Sequence, residues 1–391
     1  MRIALVEPIV ADAGWRTFSF LKVATACGIV GWSEYNEDFG SKGLSDVIRA
    51  LAPLLIGQDP RRSEAIVARL HVATRQARGG LNQQAIAAIE NALFDIRGKE
   101  AGKPVAALLG GPVRERIPLY WSHFGTYRVS QRGKGFLPEL LTHDDLARHA
   151  QEVKGLGFRC LKTNTMPLRD GRLQWFNPGF GRTPGWPELN WDAGVLADMQ
   201  LQLRTIRDAV GPEFGIMLDT NFHYRTEGYL RVAEAVAPFG LTWLEIDTHD
   251  PASLALIRRQ APCPIASCET LHGRRDVRPY LEAYAMDVAI VDVPWNGIGE
   301  SVKIAAMADA WEVNCAPHNF YGHLCSYISA HFCAAIPNFR TMEIDLDSTP
   351  WRDEYVSHPP LIEDGCFVLP DRPGWGCEVN EAALRARPPR G

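Results

Sequence analysis

Three acidic residues, Asp219, Glu245 and Glu269, each stand where an apolar segment runs out, in IMLDTN, TWLEID and PIASCE, with separations of 26 and 24 residues. One strand, one helix and two short loops occupy about 25 residues, so this rhythm predicts three consecutive strands of a β/α barrel with the acids at their C-terminal ends. Those ends are where barrel enzymes carry their chemistry. A single acid there reads as a helix N-cap or a solvated loop residue. Three in phase read as ligands to one ion. A donor set of carboxylates without Cys or His is hard, which suits Mg²⁺ rather than Zn²⁺.

The chain has 391 residues, more than the ~250 of one barrel, which leaves room for a second domain. Residues 1–115 read as an α+β cap, with β-type stretches MRIALVEPIV and KVATACGIVGWSEYN followed by helical ones. In NQQAIAAIENALFDIRGKEAG, Ile86, Ile89, Leu93 and Ile96 recur at helical steps before Gly102, the pattern of a core-facing helix with a glycine stop. From 116 to 355 strand-like and helix-like segments alternate, and eight candidate strands are legible: IPLYWSHF, FRCLKTN, GIMLDTN, TWLEID, PIASCE, MDVAIVD, VNCAPH and FRTMEID. The fold class expected is α/β, a barrel preceded by a cap, with the Pro- and Gly-rich tail 356–391 returning to the cap. Residues 165–191, rich in Gly and Pro, read as a long functional loop over the barrel mouth.

Three further residues stand at strand ends: Lys162 in CLKTN, Asp292 in IVDVPWNG and His318 in CAPHNF. On a closed barrel, Lys162 precedes the acidic strands and His318 follows them, so the two flank the ion and can address opposite faces of a carbon. Asp292, one strand before His318, is placed to accept an imidazole N–H and fix its tautomer. Alone, a strand-end Lys is commonly solvated and a strand-end His merely hydrogen-bonded. The six together read as catalytic.

Lys162, Asp219, Glu245, Glu269, Asp292, His318 and Glu343, in that order and spacing, resemble the mandelate racemase branch of the enolase superfamily, over nearly the whole chain. Gly297 and the ISAH stretch at 328–331 add to the match. The resemblance implies a modified (β/α)7β barrel under an N-terminal α+β capping domain completed by the C-terminal tail. It implies that Asp219, Glu245 and Glu269 bind Mg²⁺, that Lys162 and the His318–Asp292 dyad are the acid/base groups, and that Glu343 donates to a substrate carboxylate oxygen. Asn221 falls where a substrate-contacting Asn often stands. A homo-oligomer, dimer or octamer, is implied in the same way.

Two departures bear on mechanism. The second strand usually carries Lys-x-Lys, whereas this chain has Lys162-Thr163-Asn164. Asn164 cannot titrate, so the proton falls to Lys162, whose pKa would have to drop toward neutrality by burial beside a dication. Glu245 is followed by Ile246 and Asp247 instead of an acid and a Pro.

The chemistry expected is abstraction of a proton α to a carboxylate, through an enediolate stabilised by Mg²⁺ and a protonated Glu343. Dehydration of a sugar acid, aldonate or aldarate, to a 2-keto-3-deoxy acid is favoured, because His123, Tyr127, Arg128, Asn164, Asn221, His223 and Asn319 offer many polar contacts. Racemisation or epimerisation and lactone cycloisomerisation are alternatives, and a non-catalytic sugar-acid-binding homologue is the alternative of another class. Arg128 is a candidate for a second substrate carboxylate. Trp15, in the aromatic stretch 12–40, is the candidate to close over the substrate, whereas Phe20 and Trp32 read as packing of the cap's own sheet.

Composition narrows the partner. With 41 basic and 46 acidic residues mixed along the chain and a formal net charge of -5, nothing suggests nucleic acid. No run of about 18 apolar residues suggests a membrane span, and MRIALVEPIV lacks the features of a signal peptide. Nine cysteines without a CxxC fit free thiols in a reducing, cytoplasmic setting. The expected partner is a small-molecule carboxylate.

Overall fold

The computed structural model describes residues 1–130, 135–178 and 191–390. The cap opens with a three-stranded antiparallel sheet, β1 (Ile3–Asp12), β2 (Thr17–Thr25) and β3 (Val30–Tyr35). The stretch expected as one β segment is a hairpin, turning at Gly28, whose φ of 89° only glycine adopts without strain. Across this sheet lies the helix Gly80–Ala101, which buries Ile86, Ile89, Leu93 and Ile96 and stops at Gly102, φ 61°. Residues 12–40 are therefore mostly strand, and Phe18, Phe20, Trp32 and Tyr35 are core. The turn around Gly14–Arg16, Glu34 and Phe39 are the parts of this stretch that reach the barrel side.

The barrel strands run in chain order as β4 (Arg116–Trp121), β5 (Cys160–Thr163), a small hairpin β6 (Leu168–Arg169) and β7 (Arg172–Leu173), then β8 (Gly215–Asp219), β9 (Trp243–Glu245), β10 (Ile265–Ser267), β11 (Val288–Asp292), β12 (Asn314–His318) and β13 (Met342–Ile344). Leaving aside β6 and β7, each pairs in parallel with the next, β13 pairs with β4, and a bridge between Cys315 and Phe339 joins the last gap. Among the described residues, seven longer helices link the eight strands, the first His143–Gly155 and the last His323–Ala335, which is the (β/α)7β arrangement. Its interior is packed by Tyr120, Met217, Trp243, Ala266, Ile290 and Ala316, a filled core rather than a pore. Among the described residues no helix is long and apolar enough to cross a membrane.

The tail divides its work. The hairpin β14 (Ile362–Glu363) and β15 (Cys366–Val368) pairs antiparallel with the start of β4, so it closes the base of the barrel rather than joining the cap. From Gly374 onward the chain does reach the cap. Trp375 is fully buried, its Nε1 donates to Trp32 O at 2.8 Å and its backbone N–H donates to Asp95 at 3.0 Å. Of the expected loop 165–191, residues 165–178 form the small hairpin and its flanks, and residues 179–190 lie outside the described residues.

Cap and barrel share helix caps. Glu34 of β3 accepts the N–H groups of Gly322 (2.6 Å) and Cys325 (3.1 Å), at the start of the helix His323–Ala335. Glu90 and Asn91 of the cap helix accept those of Gly299 (3.1 Å) and Ile298 (2.8 Å), at the start of the helix Ile298–Asp309. Each barrel helix thus has orphan donors and its positive end satisfied by a side chain from the other domain. Burial raises Glu90 to about 7 despite Lys303 and the N–H groups it accepts.

Candidate active site

Register brings the acids together. Asp219 pairs directly with Glu245 across β8 and β9, and Glu245 pairs with Ala266 of β10, three residues before Glu269. The three carboxylates therefore lie along one arc of the barrel mouth. Each is oriented by neighbours. Asp219 accepts the Asn221 N–H at 2.8 Å and the Asn164 amide at 3.3 Å. Glu245 accepts the Lys162 ammonium and the Trp243 indole N–H, both at 2.9 Å. Burial pushes all three pKa values up, and the acids' repulsion of one another adds to it.

This donor set fits Mg²⁺ in chemistry: three hard oxygen ligands in a buried pocket with an excess of negative charge that a dication would balance. Among the described residues no trio of acidic, His or Cys side chains is drawn close enough to define a metal centre by distance alone. Mutual repulsion acts in that direction. A fourth acid, Asp247, lies behind them, accepting Cys268 N–H at 3.2 Å and raised to about 6 by burial and by Glu245. The sequence showed it only as a departure after Glu245.

Lys162 is 3% exposed, and its Nζ lies 2.9 Å from Glu245 and 3.1 Å from Glu343. Burial alone would push this amine down, but Glu245 and Glu343 outweigh it and hold the ammonium well above the usual lysine range. With two buried carboxylates at its tip the charged form is favoured, whereas the lowering expected of Lys162 belongs to a site that also holds a dication. Glu343 is the matching partner. It accepts from Lys162, from Ser122 Oγ and from the Asn319 N–H at 2.7 Å. Burial pushes it up, yet Lys162 and His318 bring it down to about 2. As the acceptor of these three bonds, Glu343 is favoured in its ionised form.

His318 and Asp292, paired across β12 and β11, form a dyad with Nδ1 2.6 Å from Oδ2. Asp292 also accepts the Trp295 N–H at 2.7 Å and the Tyr321 hydroxyl. The other imidazole nitrogen, Nε2, points toward Glu269 at 3.5 Å. Burial lowers this imidazole, but Glu269 and Asp292 outweigh that and raise it to about 10. Tyr321 was not legible as a partner, because nothing in HNFY shows which way a strand-end aromatic turns.

The expected substrate contacts divide. His123 stacks on Tyr127 at 4.7 Å, and Trp15 packs on Tyr127 at 5.3 Å, so the three form one wall of the mouth. His123 Nδ1 also lies 3.2 Å from Ser122 Oγ and 3.6 Å from Asp345, and burial lowers its imidazole to about 3. Asn164, expected to meet substrate, instead donates to Asp219 and accepts from Thr126 Oγ1 at 2.9 Å. Asn319 likewise turns away, its amide donating to Glu343 O and Ser326 Oγ. Asn221 serves Asp219 through its backbone, at φ 48°. His223 is buried against Phe176 and Tyr224, and burial lowers it to about 4. Arg128 forks onto Asp347 with contacts of 2.8–3.1 Å, which engages the face meant for a second substrate carboxylate.

Comparisons with known proteins bear on this arrangement. Residues 9–110 match the pattern described as the mandelate racemase / muconate lactonizing enzyme N-terminal domain, and residues 145–383 match that described as enolase C-terminal domain-like. The chain is 30% identical to D-galactarolactone cycloisomerase of Agrobacterium fabrum over 91% of this chain and 87% of that one. It is 29% identical to a D-galactonate dehydratase family member of Streptomyces bingchenggensis, over 99% and 93%. Among solved structures, a Burkholderia xenovorans protein provisionally named an L-alanine-DL-glutamate epimerase, bound to magnesium and fumarate, superposes with TM-score 0.97 at 46% identity. It covers all of this chain and 96% of that one.

Proposed function

The chain belongs to the mandelate racemase/muconate lactonizing enzyme family of the enolase superfamily, and on that premise we propose that it dehydrates a sugar acid, aldonate or aldarate, to a 2-keto-3-deoxy acid. The coarser statement, an enzyme of the acid-sugar dehydratase or epimerase kind, agrees with its relatives. The observation that supports the finer one is an asymmetry, among the described residues, between the two flanks of the mouth. His318 is backed by Asp292. Across the ring, Asn164 is a neutral amide tied to Asp219, and Lys162 directs its N–H groups at two carboxylates. Racemisation by transfer between opposite faces needs a titrating group on each. Elimination needs one group that takes a proton and returns it.

Asp219, Glu245 and Glu269 would hold Mg²⁺, which when bound supplies Lewis acidity toward the substrate carboxylate. A relative's magnesium and small dicarboxylate support that reading. Lys162, a fixed cation beside Glu245, offsets charge that builds on the carboxylate oxygens as the α C–H bond breaks. Glu269 is the main cause of the raised His318 pKa, so with the Glu269 charge engaged by the metal the neutral imidazole is available; its Nε2 takes that proton, and the electron pair enters the C1–C2 bond of an enediolate. Collapse of the enediolate forms the C2–C3 double bond and breaks the C3–O bond, and the imidazolium returns its proton to the departing hydroxide, which leaves as water. The enol product tautomerises to the 2-keto acid. Asp292 keeps the Nδ1–H tautomer in place throughout.

The test is a library of aldonic and aldaric acids with Mg²⁺, read by semicarbazide trapping of 2-keto products and by α-proton exchange in D₂O. Keto product from at least one acid, lost in His318→Asn, is expected. Exchange with inversion and no keto product would move the assignment to epimerase, and an isomeric product without loss of water would move it to cycloisomerase, as one relative is named. Tight binding with neither would revive the binding-protein alternative.

A further inference from the structure

Arg16 lies in the turn between β1 and β2 and is only 8% exposed. Its guanidinium is held among three rings, Phe320, Phe39 and Phe18, at 4.7, 5.1 and 5.4 Å. Among the described residues its one hydrogen bond runs from Nη1 to Phe320 O, 2.7 Å, while Nε is buried without a partner, and no carboxylate lies within ion-pair distance. That is unusual, because a buried guanidinium carries five N–H donors and a full charge, and is ordinarily paired.

Two acids share its surroundings and feel its charge, but neither lies within ion-pair distance of it. Glu34 caps the helix at Gly322 and Cys325, and Asp345 faces His123. Arg128, the residue the sequence suggested for this purpose, is paired with Asp347. Arg16 also stands beside the chemistry: the Phe320 ring it covers is 4.8 Å from the His318 ring and 5.9 Å from that of His123. A cation fixed by aromatic faces, whose Nε and Nη2 make no hydrogen bond among the described residues, has the donor pair that recognises a carboxylate bidentately.

We propose that Arg16 is the specificity residue for a second carboxylate, so that the sugar acid this site takes is a dicarboxylate, an aldarate, in preference to an aldonate. This rests on the sugar-acid reading above. The reacting end of the substrate meets Lys162 and the acidic arc, and the far end meets Arg16 under the cap.

The test is titration calorimetry on the Mg²⁺-loaded wild type and Arg16→Met, with galactarate against galactonate and glucarate against gluconate. Within each pair only the terminal group changes, CO₂⁻ for CH₂OH. The wild type is expected to bind the aldarate of at least one pair ~10-fold or more tightly than its aldonate, the size of a charge-assisted bond. Arg16→Met should lose that preference and keep its affinity for the aldonate. Arg16→Gln, which can still donate to Phe320 O, should lose the preference in the same way and serves should the methionine variant not fold. An absence of aldarate preference in the wild type, or a preference unchanged in the variants, overturns the proposal. Turnover is read separately: Arg16-dependent binding without keto product would sink the dehydratase reading and leave this assignment standing.

Discussion

Asn164 donates its side-chain amide to Asp219, Nδ2 to Oδ2 at 3.3 Å and to the backbone oxygen at 3.2 Å, so the residue at the position where the sequence departs from Lys-x-Lys serves a carboxylate. An amide that cannot titrate leaves Lys162 as the titrating group this strand brings to the mouth.

Asn164→Ala should therefore weaken Mg²⁺ affinity by about 10–100-fold, the usual effect of removing an outer partner of a ligand, with kcat at saturating Mg²⁺ much less affected. Activity titrated with Mg²⁺ checks it, and an unchanged midpoint would remove Asn164 from that role.

Asp292→Asn should lower kcat by about 10²–10⁴-fold, the range for losing a positioned acid/base group, because the amide cannot hold His318 as the carboxylate does at 2.6 Å. Calorimetric binding of substrate should persist. Full activity would mean that His318 needs no partner.

Arg128→Met should act on stability and not on substrate choice. The Arg128–Asp347 pair is nearly dry, with side-chain exposures of 13% and 2%, and removing one partner of a buried pair costs about 3–5 kcal/mol. A large drop in Tm with an unchanged preference between aldarate and aldonate is expected, and the reverse pattern would return Arg128 to the substrate.

Glu90→Gln tests the shared helix cap through pH. Glu90 has a folded pKa of about 7 against an ordinary 4.5, so the folded state binds its proton more tightly than the unfolded one. Its contribution to stability is fully present below pH 4.5, is lost as pH rises through about 7, and stays lost above that. The loss amounts to on the order of 3 kcal/mol. Wild type minus variant, measured as Tm at pH 5 and pH 8, should shift against the wild type at the higher pH. A pH-independent difference would show that Glu90 is not a buried carboxylate.

What the sequence could show depended on whether the signal was local. The spacing of Asp219, Glu245 and Glu269 carries the barrel because each strand end repeats a local pattern, and Ile86 to Ile96 carries the cap helix for the same reason. Lys162, Asp292 and His318 were legible by position in that repeat. Their partners were not. Arg128 read as a substrate ligand because its acid, Asp347, is 219 residues away. Arg16 escaped notice because its isolation depends on where three phenylalanines and two acids from distant segments end up. The pairing of Lys162 with Glu343 was not legible because it depends on their being 3.1 Å apart, a distance no strand pattern encodes.

The bond from the Trp375 indole to Trp32 O spans 343 residues of chain. A ribosome adding ~5–20 residues per second therefore releases the indole that fills the cap's core tens of seconds after the sheet it fills. During that interval the nascent cap presents Trp32 and the buried Asp95 to solvent while all eight barrel strands are being made. Of the two domains, the cap's sheet is thus translated before the barrel strands, yet its core is filled only after the last of them.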